Sequence, residues 1–273
     1  GMSGFSACIE WLFAVEAPAF ADRIRHAKAA GLDAVEFWHH SNKDIPAVRA
    51  ALDETGLPLA GILCELGSAM SETGGLPGLP HTGKRIASLT DRGELEAFLL
   101  SVDVSLAAAQ ALGTSVMIAQ SGDLLSDVPR EEQHRAIVDV LREAGRRLSG
   151  SGVVIALEPL NDRVDHPGYY LTSTTEGLDI VDEVSSDGVR LLYDIYHAAV
   201  MEEPITRLDG RVDRIVHAHL ADTNGRHEPG TGTLDTAARI GWLREHGYAG
   251  FIGLEYRPTV GTVESLRALR AAV

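Results

Sequence analysis

Val153-Val154-Ile155-Ala156-Leu157-Glu158 is a continuous apolar run that ends on a carboxylate. The pattern recurs at Leu191-Leu192-Tyr193-Asp194 and at Phe251-Ile252-Gly253-Leu254-Glu255, and His217-Ala218-His219 likewise ends a strand on a metal-capable side chain. Unbroken apolar runs of this length are the mark of parallel strands covered on both faces. Between them lie segments with helical periodicity. In Glu131 to Leu148 the residues Ile137, Val140, Leu141, Ala144 and Leu148 share a face, and Gly150 follows; Leu95 to Leu112 is stopped by Gly113. Extending this alternation to both ends of the chain adds strands near Phe5–Phe13, Ala34–Trp38, Leu59–Cys64 and Ser115–Ala119, with the later ones at Val153–Leu157, Val189–Tyr193, Ile215–Leu220 and Phe251–Leu254. Eight strand–helix units predict one (β/α)8 TIM barrel over residues 2–273, of class α/β. An open doubly wound sheet is the rival, but no Gly-x-Gly-x-x-Gly follows the first strand. The sixth helix is the weakest, with only Ile205 and Leu208 between Val200 and Gly210. The connection from Gly67 to Gly93 is too long for a plain linker and reads either as a lid or as a surface excursion.

The 273 residues are 45% apolar and 23% charged, ordinary for a globular chain. Lys and Arg number 24 against 39 Asp and Glu, a net charge of −15. Such a field repels phosphate backbones and anionic bilayers, so neither nucleic acid nor membrane is expected as a partner. Cys8 and Cys64 each sit in an apolar run and are expected as reduced core thiols. No uninterrupted apolar stretch reaches the roughly 18 residues of a membrane span, and no basic segment leads into an apolar one at the N-terminus, so a cytoplasmic location is expected. Gly1 ahead of Met2 reads as a cloning remnant. The sequence leaves a homo-oligomer open.

In TIM barrels the reactive groups stand where strands end. Strands five to eight end in Glu158, Asp194, His219 and Glu255. Any one of them alone reads as a cap or a salt-bridging residue, but together they bring three carboxylates to one mouth. At low dielectric these repel unless a cation neutralises them. The expectation is a divalent metal held by Glu158, Asp194, His219 and Glu255. That oxygen-rich set suits Mg²⁺ or Mn²⁺, with Co²⁺ or Zn²⁺ as alternatives.

The stretches Ala156-Leu157-Glu158-Pro159-Leu160-Asn161, Tyr193-Asp194-Ile195-Tyr196-His197, Gly225-Arg226-His227-Glu228-Pro229-Gly230-Thr231-Gly232 and Gly253-Leu254-Glu255-Tyr256-Arg257-Pro258 resemble the xylose-isomerase-like barrels, and within them the hydroxypyruvate isomerases and oxo-tetronate isomerases. The resemblance covers essentially the whole chain. It departs at His219, where hydroxypyruvate isomerases often carry glutamine and the ketose 3-epimerases carry histidine.

The resemblance implies a metal-dependent isomerase interconverting hydroxypyruvate and tartronate semialdehyde, or a close oxo-acid, through a cis-enediolate. It implies Glu158 and Glu255 as the acid–base pair, without saying which abstracts the proton. The substrate is then a small hydroxy-oxo-acid or a sugar. Arg226 is expected to bind a substrate oxygen or carboxylate. His197 reads either as a donor to the developing oxyanion or as structural. Lys84 and Arg85 could add positive charge from the long connection, and Trp11 and Trp38 could wall the pocket or simply pack. Glu36 and Glu65 lie near strand ends and are expected in hydrogen-bonding or structural roles. Three alternatives remain: a ketose 3-epimerase; an apurinic-site endonuclease, opposed by the charge and by strand ends Cys64-Glu65 and Ala119-Gln120 that carry no histidine; and a non-catalytic binding protein.

Overall fold

The apolar runs become eight short parallel strands: β1 Phe5–Cys8, β2 Ala34–Glu36, β3 Ile62–Leu63, β4 Val116–Ala119, β5 Val154–Leu157, β6 Val189–Asp194, β7 Ile215–Leu220 and β8 Ile252–Leu254. They pair in the order β2-β1-β8-β7-β6-β5-β4-β3. A parallel bridge between Val35 and Leu59 joins the two ends, with Ala60 N–H donating to the Val35 carbonyl at 2.7 Å. The expected barrel is thus present. The computed structural model describes residues 4–67 and 86–273; Lys84, Arg85 and most of the Gly67–Gly93 connection lie outside the described residues.

Among the described residues the helices are α1 Phe20–Ala29, α2 Ile45–Thr55, α3 Leu95–Leu112, α4 Arg130–Leu148, α5 Thr174–Val184, α6 Ile195–Val200, α7 Thr236–Glu245, α8 Thr262–Ser265 and α9 Arg267–Ala272. Their ends follow local chemistry. The Asp44 and Ser173 side chains accept from Ala47 N–H and Glu176 N–H at the starts of α2 and α5. Gly113 ends α3 at φ +79°, a left-handed conformation in which glycine meets no Cβ penalty. By length and mean hydropathy (1.5 over Arg92–Leu112) α3 could pass for a membrane span. Phe98, Val102, Ala109 and Leu112 are nevertheless buried in the main core, so one face of the helix packs against the protein.

Two boundaries differ from the sequence reading. The first strand stops at Cys8 rather than Phe13, and the chain turns so that Phe13 takes φ +63° and donates its N–H to Thr262 Oγ1 at 3.0 Å. The apolar run continues because Ile9, Leu12 and Phe13 are buried in the core, not because the strand does. Trp11 therefore stands in a loop. The sixth helix starts at Ile195, directly on the strand end, and only a 3₁₀ turn, Ile205–Leu208, lies where the helix was sought.

Strand register fixes what faces the barrel axis. Cys8 pairs with Glu36, Asp194 with His219, and His219 with Gly253, so these residues share one face. Leu63, Val116, Ile118, Ala156 and Leu192 make a small apolar cluster separate from the main core between strands and helices. Cys8 and Cys64 are buried and unbridged, as expected. Replacing Leu141, fully buried on α4, by Ala is expected to cost about 2–5 kcal/mol. Ser173→Ala, which removes only a cap, is expected to cost about 1 kcal/mol. Urea unfolding of the two variants measures the contrast, and equal losses would contradict the packing described.

Candidate functional site

Glu158 and Glu255 follow directly on β5 and β8, Asp194 closes β6, and His219 lies in β7. All four are buried, and one ligand atom from each lies within 4.8 Å of the others. His219 Nδ1 is the hub, at 3.2 Å from Glu158 Oε2, 3.5 Å from Glu255 Oε2 and 3.6 Å from Asp194 Oδ2. The structure brings together all four residues selected from the strand ends.

The other ring nitrogen is committed beneath. His219 Nε2 donates to Glu36 Oε2 at 2.6 Å, and Glu36 Oε1 accepts from His217 Nε2 at 2.9 Å. Glu36 therefore takes the hydrogen-bonding role expected of it, and it dictates that Nδ1 faces the carboxylates. Space for it comes from Gly253, where a Cβ would stand 2.1 Å from Glu36 Oε1.

Charge follows the geometry. Burial pushes the Glu158 carboxyl up to about 8; the His219 hydrogen bond opposes this, and the charges of Glu255 and Asp194 add to it. Burial works against ionised Asp194 too, but His197, His219 and Arg226 hold it well below the usual carboxylate range. Glu36 is likewise held low, because His217 and His219 outweigh its desolvation. Burial disfavours a charged His219, yet Glu255 and Glu36 raise it well above the ordinary imidazole value. The protonated form of Nδ1 is thus favoured at the centre of three carboxylates, where a cation would be expected. Three oxygen donors and one nitrogen converging on a positive charge fit a divalent ion.

A cavity of about 290 Å³ opens over the cluster, lined among the described residues by Glu158, His219, Glu255, Trp38, Arg226 and Arg257, with Trp11, His39, Gln120, Asp165 and His166 around them. Arg226 is on this wall. Its Nη2 donates to Glu255 Oε1 at 2.6 Å and its Nη1 reaches Asp165 Oδ1 at 3.4 Å, while its buried Nε has no partner among the described residues. Trp38 Nε1 donates to the other oxygen of Glu255 at 2.9 Å. Both tryptophans therefore belong to the pocket, and Trp11 packs edge-on to Trp38 with ring centres 4.8 Å apart.

His197 is not on the cavity wall. It is buried behind Asp194, with Nε2 at 3.7 Å from Asp194 Oδ2, and its Nδ1 accepts from Asn161 Nδ2 at 2.7 Å and from Asn161 N–H at 3.1 Å. Burial pushes its pKa down to about 4. His166 lines the cavity instead. The sequence reading did not single out His166, Asn161, Asp165 or His217. His217 had a usable signal, because it sits two residues before His219 and so shares its face of the strand. Glu65 accepts from His39 Nδ1 and from Ser41 N–H, a hydrogen-bonding role as expected.

The xylose isomerase-like TIM barrel family matches residues 24–272. A 2-oxo-tetronate isomerase of Cupriavidus necator is 30% identical over 92% of each chain. The hydroxypyruvate isomerase of Escherichia coli is 28% identical over 97% of this chain and 98% of its own. Among solved structures, an AP endonuclease, family 2, from Brucella melitensis superposes with a TM-score of 0.84 at 28% identity, covering 98% of both chains. With its eight-stranded barrel and its buried Glu-Asp-His-Glu cluster at the strand ends, this chain belongs to the xylose isomerase-like TIM barrel family.

Proposed function

We propose that this chain is a metal-dependent isomerase of a small hydroxy-oxo-acid, interconverting hydroxypyruvate and tartronate semialdehyde or acting on an oxo-tetronate of the same pattern. The observation that carries this reading is the convergence of Glu158, Asp194, Glu255 and His219 Nδ1, three of which, Glu158, His219 and Glu255, line the cavity. The names of the relatives support the isomerase class. Glu158, Asp194, His219 and Glu255 would hold Mg²⁺ or Mn²⁺, and such an ion, when bound, polarises an adjacent carbonyl and acidifies the neighbouring C–H.

The chain supplies the proton transfer. In hydroxypyruvate the proton leaves C3 and returns at C2, and the electrons stay within the enediolate, so no redox partner is needed. Both oxygens of Glu255 accept from fixed donors, Arg226 and Trp38, which suits a positioned base. Among the described residues the side-chain partner of Glu158 is His219, and burial favours its protonated form, which suits the acid. Arg226 aligns Glu255 and, from the cavity wall, places positive charge beside a substrate oxygen. His197 acts through Asp194 and Asn161 as a positioning residue.

A ketose 3-epimerase is the second reading, favoured by histidine rather than glutamine at position 219. The net charge of −15 opposes an endonuclease acting on a phosphate backbone.

Mn²⁺-loaded protein incubated with hydroxypyruvate in D₂O is expected to form tartronate semialdehyde carrying carbon-bound deuterium, as read by mass spectrometry. Chelation should stop the reaction, and Glu255→Gln should slow it about 10²–10⁴-fold. Turnover of D-fructose without any oxo-acid turnover would move the reading to the epimerase. Glu36→Leu is expected to weaken Mn²⁺ binding about 10–100-fold in titration calorimetry. Unchanged affinity in a folded variant would refute the part assigned to Glu36.

A further inference from the structure

Among the described residues the cavity wall carries three carboxylates, Glu158, Asp165 and Glu255, in a chain of net charge −15. Beside the ion that the cluster would hold, an anionic substrate entering it is favoured by a positive group that no carboxylate has already neutralised. Arg226 does not qualify, because Glu255 and Asp165 both take hydrogen bonds from it. His39 is matched by Glu65. Arg257 is different. It lines the cavity, its residue is exposed, and among the described residues no carboxylate pairs with it.

Its position is nevertheless fixed. Arg257 N–H donates to the Arg226 carbonyl at 2.9 Å, and its own carbonyl accepts from His227 Nδ1 at 2.7 Å. The next turn is tied down as well, since Thr259 N–H donates to Glu228 Oε2 at 2.9 Å. The guanidinium lies over the Trp11 ring at 4.8 Å, the same ring that Arg226 approaches at 5.0 Å. Stacking on an indole restrains the planar fork without occupying its N–H donors. The result is a preoriented, unpaired forked donor two residues beyond Glu255, which matches a carboxylate bidentately.

We propose that Arg257 is the anion anchor of this cavity, binding the substrate carboxylate and so selecting hydroxy-oxo-acids over neutral ketoses. The proposal rests on the isomerase reading for the identity of the substrate, but carboxylate binding itself does not.

Two measurements separate the two claims. The first is titration calorimetry with D-glycerate, an unreactive hydroxy acid, and with glycerol as its neutral counterpart. D-Glycerate is expected to bind the wild-type chain and to bind Arg257→Gln about 10- to 100-fold more weakly, the range for loss of a charge-assisted hydrogen bond. Arg257→Lys, which keeps the charge without the fork, should fall between. Arg146→Gln, an equal loss of charge on α4 where Arg146 pairs with Glu143, should leave D-glycerate affinity unchanged. The second is the ratio of kcat/KM for hydroxypyruvate to that for D-fructose, which Arg257→Gln is expected to lower by the same factor. Wild-type protein that does not bind D-glycerate, or binding that is unaltered in Arg257→Gln or equally weakened in Arg146→Gln, would overturn the anchor. Binding of D-glycerate that depends on Arg257 in a protein that turns over no oxo-acid would keep the anchor and remove the isomerase reading.

Discussion

Three carboxylates buried around one imidazole form an arrangement that no folded chain holds without compensation, because like charges at low dielectric repel. The site is a set of answers to that constraint. The carboxylates favour a charged His219 in their middle, Arg226 offsets the charge from the side of Glu255, and burial favours the protonated form of Glu158. Beneath them Glu36 adds a fourth carboxylate, yet it is neutralised by His217 and His219 and serves to aim one ring nitrogen upward. The constraint also reaches into the barrel wall, since the Glu36 carboxylate fits only where Gly253 has no side chain.

A network above the cluster spreads the same logic outward. Asp165 accepts from Asn161, Tyr196 and Arg226, and Asn161 in turn donates to His197 behind Asp194. Arg226 adopts φ +63° and follows Gly225 at φ +115°, so the loop turns sharply enough to bring the guanidinium onto Glu255. Polar groups that would be costly to bury singly are tolerated because most of them are partnered, His197 Nε2 and Arg226 Nε being exceptions among the described residues.

The parts legible in the sequence share a physical origin. Continuous apolar runs ending on Glu158, Asp194, His219 and Glu255 record both a doubly covered strand and the residue at its end, so one pattern located barrel and cluster together. The stretch after Cys8 reads as strand because burial and strand pairing both select hydrophobic residues, and only Glu10, which interrupts Ile9 to Phe13, marks that the strand has ended. His197 looked like a pocket residue from its spacing to Asp194, but α6 starts at once and carries it behind the carboxylate. Arg226 was legible as a mouth residue. Its engagement with Glu255 depends on loops meeting across the barrel, which no local pattern records.

Asp194 joins two tasks in one side chain. Its Oδ1 accepts from His197 N–H at 3.0 Å to start α6, while Oδ2 faces His219. No residue intervenes between β6 and that helix, whereas the connections from Glu158 to Ser173 and from Ala221 to Asp235 are long. An inserted residue after Asp194 would displace the helix start and the carboxylate together, but one placed in the longer connections need move neither. Length changes that reshape the pocket are therefore accommodated more easily in the rim after β5 and β7 than at the β6 edge, which acts as the fixed reference point of the mouth.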